Sequence, residues 1–346
     1  MMTIDRLLAI DVGAGTQDIL LFESRKPIEN CVKLVLPSMS AIVAQKIKEA
    51  TTRGEDIFLT GNLMGGGPNV SAIKAHLRAG YRIFATPLAA KTIRDDLNEV
   101  RTVGVEIVEE PPDNATVIET GDIDLRSLGR ALALFNLEIP REYAIAVQDH
   151  GEQPGISQRR FRFQQWERFV KAGGQLESLA YQEVPPYLTR MKAVQRDAPG
   201  SLMMDTGSAA IWGALCDEVV AARQDEGLVI VNVGNQHLLA AMVKGERVWG
   251  LFEHHTVLMN KEKVVHHIER LRQGLLTNDE VYEDGGHGAF VHADYKGPFQ
   301  FVTITGPNRW MAEGLGYMAV PYGDMMLTGC FGLVAAAKRI ALGDHS

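Results

Sequence analysis

Two short apolar runs, residues 6–10 and 19–22, bracket the octapeptide Asp11-Val12-Gly13-Ala14-Gly15-Thr16-Gln17-Asp18. Runs of that length read as strands, and the small residues between them read as a tight turn. Two glycines let backbone N–H groups come close to an anion, and carboxylates at either end can hold a divalent cation directly or through water. Thr16 adds a hydroxyl. A dinucleotide fingerprint needs a third glycine where Asp18 stands, and a helix where residues 19–22 read as strand. A P-loop needs a terminal Gly-Lys-Ser/Thr, which is missing. A hairpin turn wrapped around a phosphate tail fits the residues, and so does a plain hairpin with glycine at positive φ.

The rest of the chain extends this start. A third strand is expected over residues 31–36 and a helix over 40–50, with Ser38 or Ser40 as its N-cap. Strands at 56–60, 81–85, 103–108, 115–119 and 143–147 then alternate with helices at 70–79, 89–100 and 125–137. That alternation is the signature of an α/β chain with a largely parallel sheet. Residues 151–200, polar at 158–168 and ending in Pro199-Gly200, read as a helical connection. The second half repeats the opening, with strand 228–233, the turn Gly234-Asn235-Gln236-His237 and strands 238–243 and 248–253. A helix over 261–276 follows, then strand 299–305 entering Gly306-Pro307-Asn308 and a helix, and strand 325–328 entering the last helix. With 346 residues, two domains are the default. The expected division is 1–150, a connection at 151–200, and 201–346.

The formal net charge of −8 argues against a nucleic-acid partner, which requires clustered Lys and Arg. No apolar run reaches the roughly 20 residues that span a bilayer, and residues 1–30 lack a basic stretch followed by an apolar signal region. A cytoplasmic location with no membrane partner is expected. The cysteines Cys31, Cys216 and Cys330 are too far apart in sequence for a disulfide framework or a local metal motif. Seven of the ten histidines fall between His237 and His292. Together with His150 these could assemble a His/carboxylate site for a metal-dependent hydrolase. His150 and His254 are the first alternatives as ligands, with His237 and His287 beside them. His266 and His267, on a helix, are expected at the surface. The loop Gly61-Asn62-Leu63-Met64-Gly65-Gly66-Gly67-Pro68, between strand and helix, reads equally as an anion loop or a structural turn.

The pattern Asp11-x-Gly13-x-Gly15-Thr16-x-Asp18 between two strands resembles the first phosphate motif of the actin, Hsp70 and sugar-kinase superfamily. The resemblance implies an α/β fold of two ribonuclease-H-like (actin-like ATPase) half-domains facing an interdomain nucleotide cleft, with ATP and Mg²⁺ as cofactors. Asp11, Gly13, Gly15, Thr16, Gln17 and Asp18 would form the first phosphate loop. Asn232, Gly234, Asn235, Gln236 and His237 would form the second, and Gly306 would lie against adenosine. Asp11 and Asp18 would organise Mg²⁺. Asn232 stands where an aspartate is common and Asn235 replaces a glycine, so this second loop brings no charge to a metal. Residues 327–332 are a second candidate for the adenosine element. The stretch Asp205-Thr206-Gly207 rivals the second loop, although its continuation reads as helix. Asp149, in Gln148-Asp149-His150-Gly151 at a strand's carboxyl end, is the candidate general base alongside Asp11.

More narrowly, the segments Gly-Thr-Gln-Asp, Gln-Asp-His-Gly, Asn-Val-Gly-Asn-Gln-His, Phe-Glu-His-His-Thr and Leu-Thr-Gly-Cys-Phe-Gly are similar to one prokaryotic family. Its members carry the label of pyruvate formate-lyase activating enzymes. A radical enzyme of that kind needs three closely spaced cysteines for its cluster, and no iron–sulfur cluster is expected here. The resemblance implies ATP hydrolysis or phosphoryl transfer to an unknown small-molecule acceptor. The alternative is a nucleotide-dependent activator acting on a partner protein.

Overall fold

The computed structural model describes residues 4–343. Its first sheet is built from β1 (Arg6–Val12), β2 (Thr16–Glu23) and β3 (Val32–Pro37), an antiparallel meander. The chain then makes a four-stranded parallel layer: β4 (Ile57–Gly61), β5 (Ile83–Ala85), β6 (Val105–Ile107) and β7 (Thr116–Thr120), in the order β6-β5-β4-β7. It returns through β8 (Tyr143–Val147), β9 (Ala180–Tyr181) and β10 (Leu202–Met204), which complete the first sheet as β3-β2-β1-β8-β10-β9. The third sheet comprises β11 (Leu228–Val233), β12 (His237–Lys244), β13 (Arg247–His255), β14 (Gly288–Val291), β15 (Phe301–Thr305) and β16 (Tyr317–Met318), in the order β14-β13-β12-β11-β15-β16.

The two large sheets share one plan. Each begins with a hairpin and a third antiparallel strand, and each then adds parallel strands on the far side of its first strand. Asp11 pairs with Ala146 in the β1–β8 ladder as Asn232 pairs with Thr305 in the β11–β15 ladder. These are the two ribonuclease-H-like halves that the resemblance implies. The central strands are buried on both faces, as parallel sheets covered by helices must be. Leu8, Ile10, Ile19 and Leu21 pack against Leu128, Leu132, Met191 and Val194 on one side. On the other side, Leu7, Ala9 and Leu20 share a core with Ile211, Phe331 and Val334 and with Ile230 and Ala241 of the third sheet.

That shared core is formed by helices Thr206–Ala214 and Thr328–Gly343, which lie between the two sheets. A Cβ on Gly213 would collide with the Thr328 carbonyl, and one on Gly332 with the Ala209 carbonyl. Glycine is what lets the two helices touch main chain to main chain.

Three sequence expectations change. The strand after residue 200 pairs with β8 (Leu202 opposite Ala144), so the first sheet runs past the expected boundary and the last helix packs back onto β1. No strand forms at 325–328. The Asp324 carboxylate accepts the Met326 N–H and Thr328 bonds the Met325 carbonyl, which makes a turn leading into the last helix. After Gly306 the chain makes only a 3₁₀ turn, Arg309–Ala312, where a full helix was expected. No helix among the described residues is long and apolar enough to cross a membrane.

Candidate functional site

The carboxyl ends of β1, β8, β10, β11 and β15 open into one cleft of about 460 Å³. Such switch points are where open α/β sheets place ligands. The two hairpin turns face each other across it and close in the same way. The Gly13 N–H donates to the Thr16 carbonyl at 2.8 Å, and the Gly234 N–H donates to the His237 carbonyl at 2.9 Å. A Cβ on Gly15 would lie 3.8 Å from Asn235 Nδ2, so the turns are in near contact. Ser38, the N-cap of helix Met39–Arg53, braces the first turn: its hydroxyl donates to the Ala14 carbonyl and its N–H to that of Gly15.

The first hairpin carries the charge. Asp11 and Asp18 are direct cross-strand partners, and each has one buried carboxylate oxygen without a hydrogen-bond partner. Burial, then the charges of Asp18 and Asp205, push the Asp11 carboxyl well above its usual range. Burial and the nearby Asp324 push Asp18 up to about 7, opposed by a hydrogen bond from Thr16. Burying like charges together without a counter-ion is costly, and orphaned carboxylate oxygens of this kind fit a hard dication such as Mg²⁺. Gln17 does not join them. Its side chain points to the opposite face of β2 and donates to the Pro37 carbonyl at 2.9 Å, tying β2 to β3.

The second hairpin is neutral. Opposite Asn232 stands Leu239. Asn232 Oδ1 lies against the α-carbon of Gly306, which has φ of 96° and abuts the Val233 carbonyl. Asn308 Nδ2 donates to the Gly234 carbonyl at 3.0 Å, so the turn after β15 is fastened to the turn after β11. Gln236 reaches Gly67 of the parallel layer, closing the cleft's rim. That layer's glycine loop is already occupied: the Gly65 N–H donates to Asp122, whose carboxylate also pairs with Arg190 at 2.7 Å. The rest of the loop, Gly66 and Gly67, lines the cleft and touches the second hairpin.

Asp149 differs from its expected role. Its two oxygens accept the N–H groups of Gly151 and Met191, at 2.8 and 2.9 Å. A carboxylate held by backbone donors on both oxygens orients its loop and is poorly placed to take a proton, although burial lifts it to about 6. Next to it is a group the sequence reading missed. Arg162, from helix Gln158–Lys171, donates to Asp205 on one side and Glu253 on the other, and to the Asp149 carbonyl. All five guanidinium N–H groups are used, which is what lets an arginine be buried. The ligands come from the ends of β8 and β10 and from β13, so Arg162 joins the two halves. Its signal was helical spacing: Arg162, Trp166 and Val170 are each four residues apart on one buried face. Asp205 caps helix Thr206–Ala214, as the helical continuation implies, and lines the cleft.

The histidines resolve into two groups, because strand residues alternate faces. His255, like Glu253, faces the cleft side. There His150, His237, His255 and His287 pack ring against ring, with centroids 4.8–5.6 Å apart. His254 faces away, where its Nε2 lies 3.2 Å from Asp284, which removes it from the candidate ligands. His267 is buried against Phe252 and His254, contrary to expectation, while His266 is exposed. Buried polar atoms left unpaired cost about 1–3 kcal/mol each. His150 Nε2 and both ring nitrogens of His237 and His287 are of that kind.

The family model described as "Putative pyruvate format-lyase activating enzyme (DUF1786)" matches residues 64–311. No curated protein matches the chain. Among solved structures, a protein of actin-like ATPase fold and unknown function from Bacteroides thetaiotaomicron aligns at 6% identity, covering 94% of this chain and 95% of that one, with a TM-score of 0.36. The ethanolamine utilization protein EutJ from Carboxydothermus hydrogenoformans aligns at 9% identity over 95% and 88%, TM-score 0.33. A Ppx/GppA family member from Aquifex aeolicus aligns at 12% over 87% and 66%, TM-score 0.31. The architecture itself rests on the strand orders above. The three cysteines stand apart in the fold, with Cys330 in the last helix against the Ala9 and Asp18 carbonyls, Cys31 between β2 and β3, and Cys216 after helix Thr206–Ala214.

Proposed function

We propose that this chain, which belongs to the DUF1786 family, binds Mg·ATP between its two hairpin turns and acts on the terminal phosphate. One observation carries the reading: two buried carboxylates, Asp11 and Asp18, with unpaired oxygens sit on a glycine turn that faces a second glycine turn across a cleft of ligand size. The turns of residues 13–16 and 234–237 would supply backbone and side-chain donors to phosphate oxygens, and Gly306 would leave room for the nucleoside. Asp11 and Asp18 would hold Mg²⁺, which supplies charge neutralisation to a phosphate tail. Of the cations that line the cleft, Lys91 is paired with Glu152 at 3.0 Å and Arg190 with Asp122 at 2.7 Å, while Arg94 has only a 3.8 Å contact to Glu99.

A second reading is supported by Asp149 and Asn232. With both oxygens of Asp149 engaged, no carboxylate on the second hairpin, and Asp11 and Asp18 given to Mg²⁺, the hairpins offer no free carboxylate as a base. Slow hydrolysis that times the action of a nucleotide-dependent partner protein fits this better than rapid transfer to a small acceptor. The test is thermal unfolding with and without Mg·ATP, followed by turnover of the bound nucleotide. Saturating Mg·ATP should raise the melting temperature and Asp11→Ala should abolish the rise. No shift in the wild-type protein would remove the nucleotide reading. Turnover accelerated by a small hydroxyl or carboxyl metabolite would favour the kinase form over the partner-timing form.

A further inference from the structure

Beside the phosphate turns, and sharing with them only His237, the structure assigns to His150, His237 and His287 a site for one first-row divalent cation of the zinc class, with its fourth coordination position open to the cleft. One ring nitrogen from each residue lies within 4.8 Å of the other two. Three imidazole ligands at ordinary metal–nitrogen lengths stand about 3.3 Å apart in a tetrahedron, a contraction within reach of ring rotation.

Four observations converge. First, these rings hold five buried nitrogens that no protein group satisfies, and His287 is only 1% exposed. Second, His287 is driven inward by its neighbours. A Cβ on Gly286 would strike His254 and Val281, and one on Gly288 would strike Asn278 and Phe163, so the main chain fixes where the ring goes. Third, an outer shell exists. Glu253 Oε2, held by Arg162 and Trp166, lies 3.9 Å from His287 Nδ1, outside hydrogen-bond length but near enough to become the outer carboxylate of a metal-ligating His287. Fourth, the charges suit a dication. Arg162 is shared by Asp205 and Glu253, leaving that triad one negative charge in excess beside the three rings.

The donor set selects the ion. Imidazole suits zinc, cobalt, nickel and iron, whereas magnesium prefers oxygen, so this site does not compete with Asp11 and Asp18. Three protein ligands with an open fourth place are the pattern of a reactive site rather than a closed structural one. His150 and His237 line the cleft while His287 lies behind them, so the open position faces the phosphate turns. Its ligand class is a water or an anionic oxygen of a bound small molecule. His150 comes from the β8 end and His237 and His287 from the second half, so the ion also bridges the two halves.

The test is a Co²⁺ titration of chelator-treated full-length protein without nucleotide, read by visible absorption and equilibrium dialysis. We expect one saturable equivalent, an intense band of tetrahedral type, and stoichiometric displacement by Zn²⁺. His287→Ala and, from the other half, His150→Gln should each lose the band, while the exposed-face control His266→Gln retains it. His287→Ala should keep its Mg·ATP melting shift, which separates this site from the nucleotide reading. If either variant does not fold, the wild-type Co²⁺ protein still decides the matter, because three paramagnetically shifted imidazole N–H resonances are required. Sub-stoichiometric binding, a weak six-coordinate spectrum, fewer than three such resonances, or a band that survives His287→Ala overturns the assignment.

Discussion

The hairpins that open the two halves share a turn length, a closing hydrogen bond and a place at the cleft, yet they differ at one register position. In the first, Asp11 faces Asp18 across the strands; in the second, Asn232 faces Leu239. The backbone plan is thus duplicated while the charge is not. One hairpin stores electrostatic strain that a cation would relieve, and the other offers neutral donors to whatever the cation brings. The lesson is that a repeated architecture fixes where a ligand goes, and a single cross-strand pair decides which side supplies the chemistry.

The comparison can be broken or sharpened by experiment, starting with the largest effect. Arg162→Met removes the guanidinium that bridges Asp205 and Glu253, and stranding two buried carboxylates should cost about 3–5 kcal/mol. Chemical denaturation would register this as a lower midpoint, and an unchanged midpoint would mean that the halves do not depend on this tie. Next, Asp11→Asn turns the first hairpin into a likeness of the second. It should erase the Mg·ATP stabilisation, about 2.7 kcal/mol at a hundred times the dissociation constant, while leaving the free protein at least as stable.

A pH series sharpens the same asymmetry. Asp18 is held up to about 7 in the folded chain against an unfolded value of 3.8. Its contribution is therefore fully present below pH 3.8 and is lost as pH rises through 7. Asp18's contribution should fall away between about pH 4 and 7, against the opposite slope of the buried neutral histidines, so it is read as the difference between the wild-type and Asp18→Asn melting profiles, and Mg²⁺ should shrink that difference. A slope untouched by Asp18→Asn would locate the strain elsewhere. The smallest effect comes from Asn232→Asp, which gives the second hairpin a carboxylate. Isothermal titration should show Mg·ATP affinity altered by less than about tenfold, since one charge near a surface-facing ligand is worth about 1 kcal/mol.

Much of this was legible in the sequence. The glycine turn with its flanking carboxylates, the second hairpin at residues 228–243 and the α/β alternation are local patterns, and each became the expected element. What was not legible was non-local. Arg162 lay in a polar stretch that read as a connection, because its acceptors are 43 and 91 residues away. The histidine group needed the pleat of β13 to separate His254 from His255, and it needed the third sheet to bring His287 beside His150. Gln17 misled for the same reason: a motif position does not say which face of the strand it occupies. The strand expected at 325–328 failed because Asp324 and Thr328 offered the backbone a turn instead.

The glycine crossing of helices Thr206–Ala214 and Thr328–Gly343 has a consequence for how this molecule can vary. The distance between the two sheets is fixed there by bare main chain, with no side chain to trade against another. Residues elsewhere on those helices can be exchanged in compensating pairs, but Gly213 and Gly332 have no such partner. A single methyl group at either would act as a wedge, prising the sheets apart just behind the cleft, which Thr328 and Ala210 line, and so changing the gap between the two turns and the reach between His150 and His237.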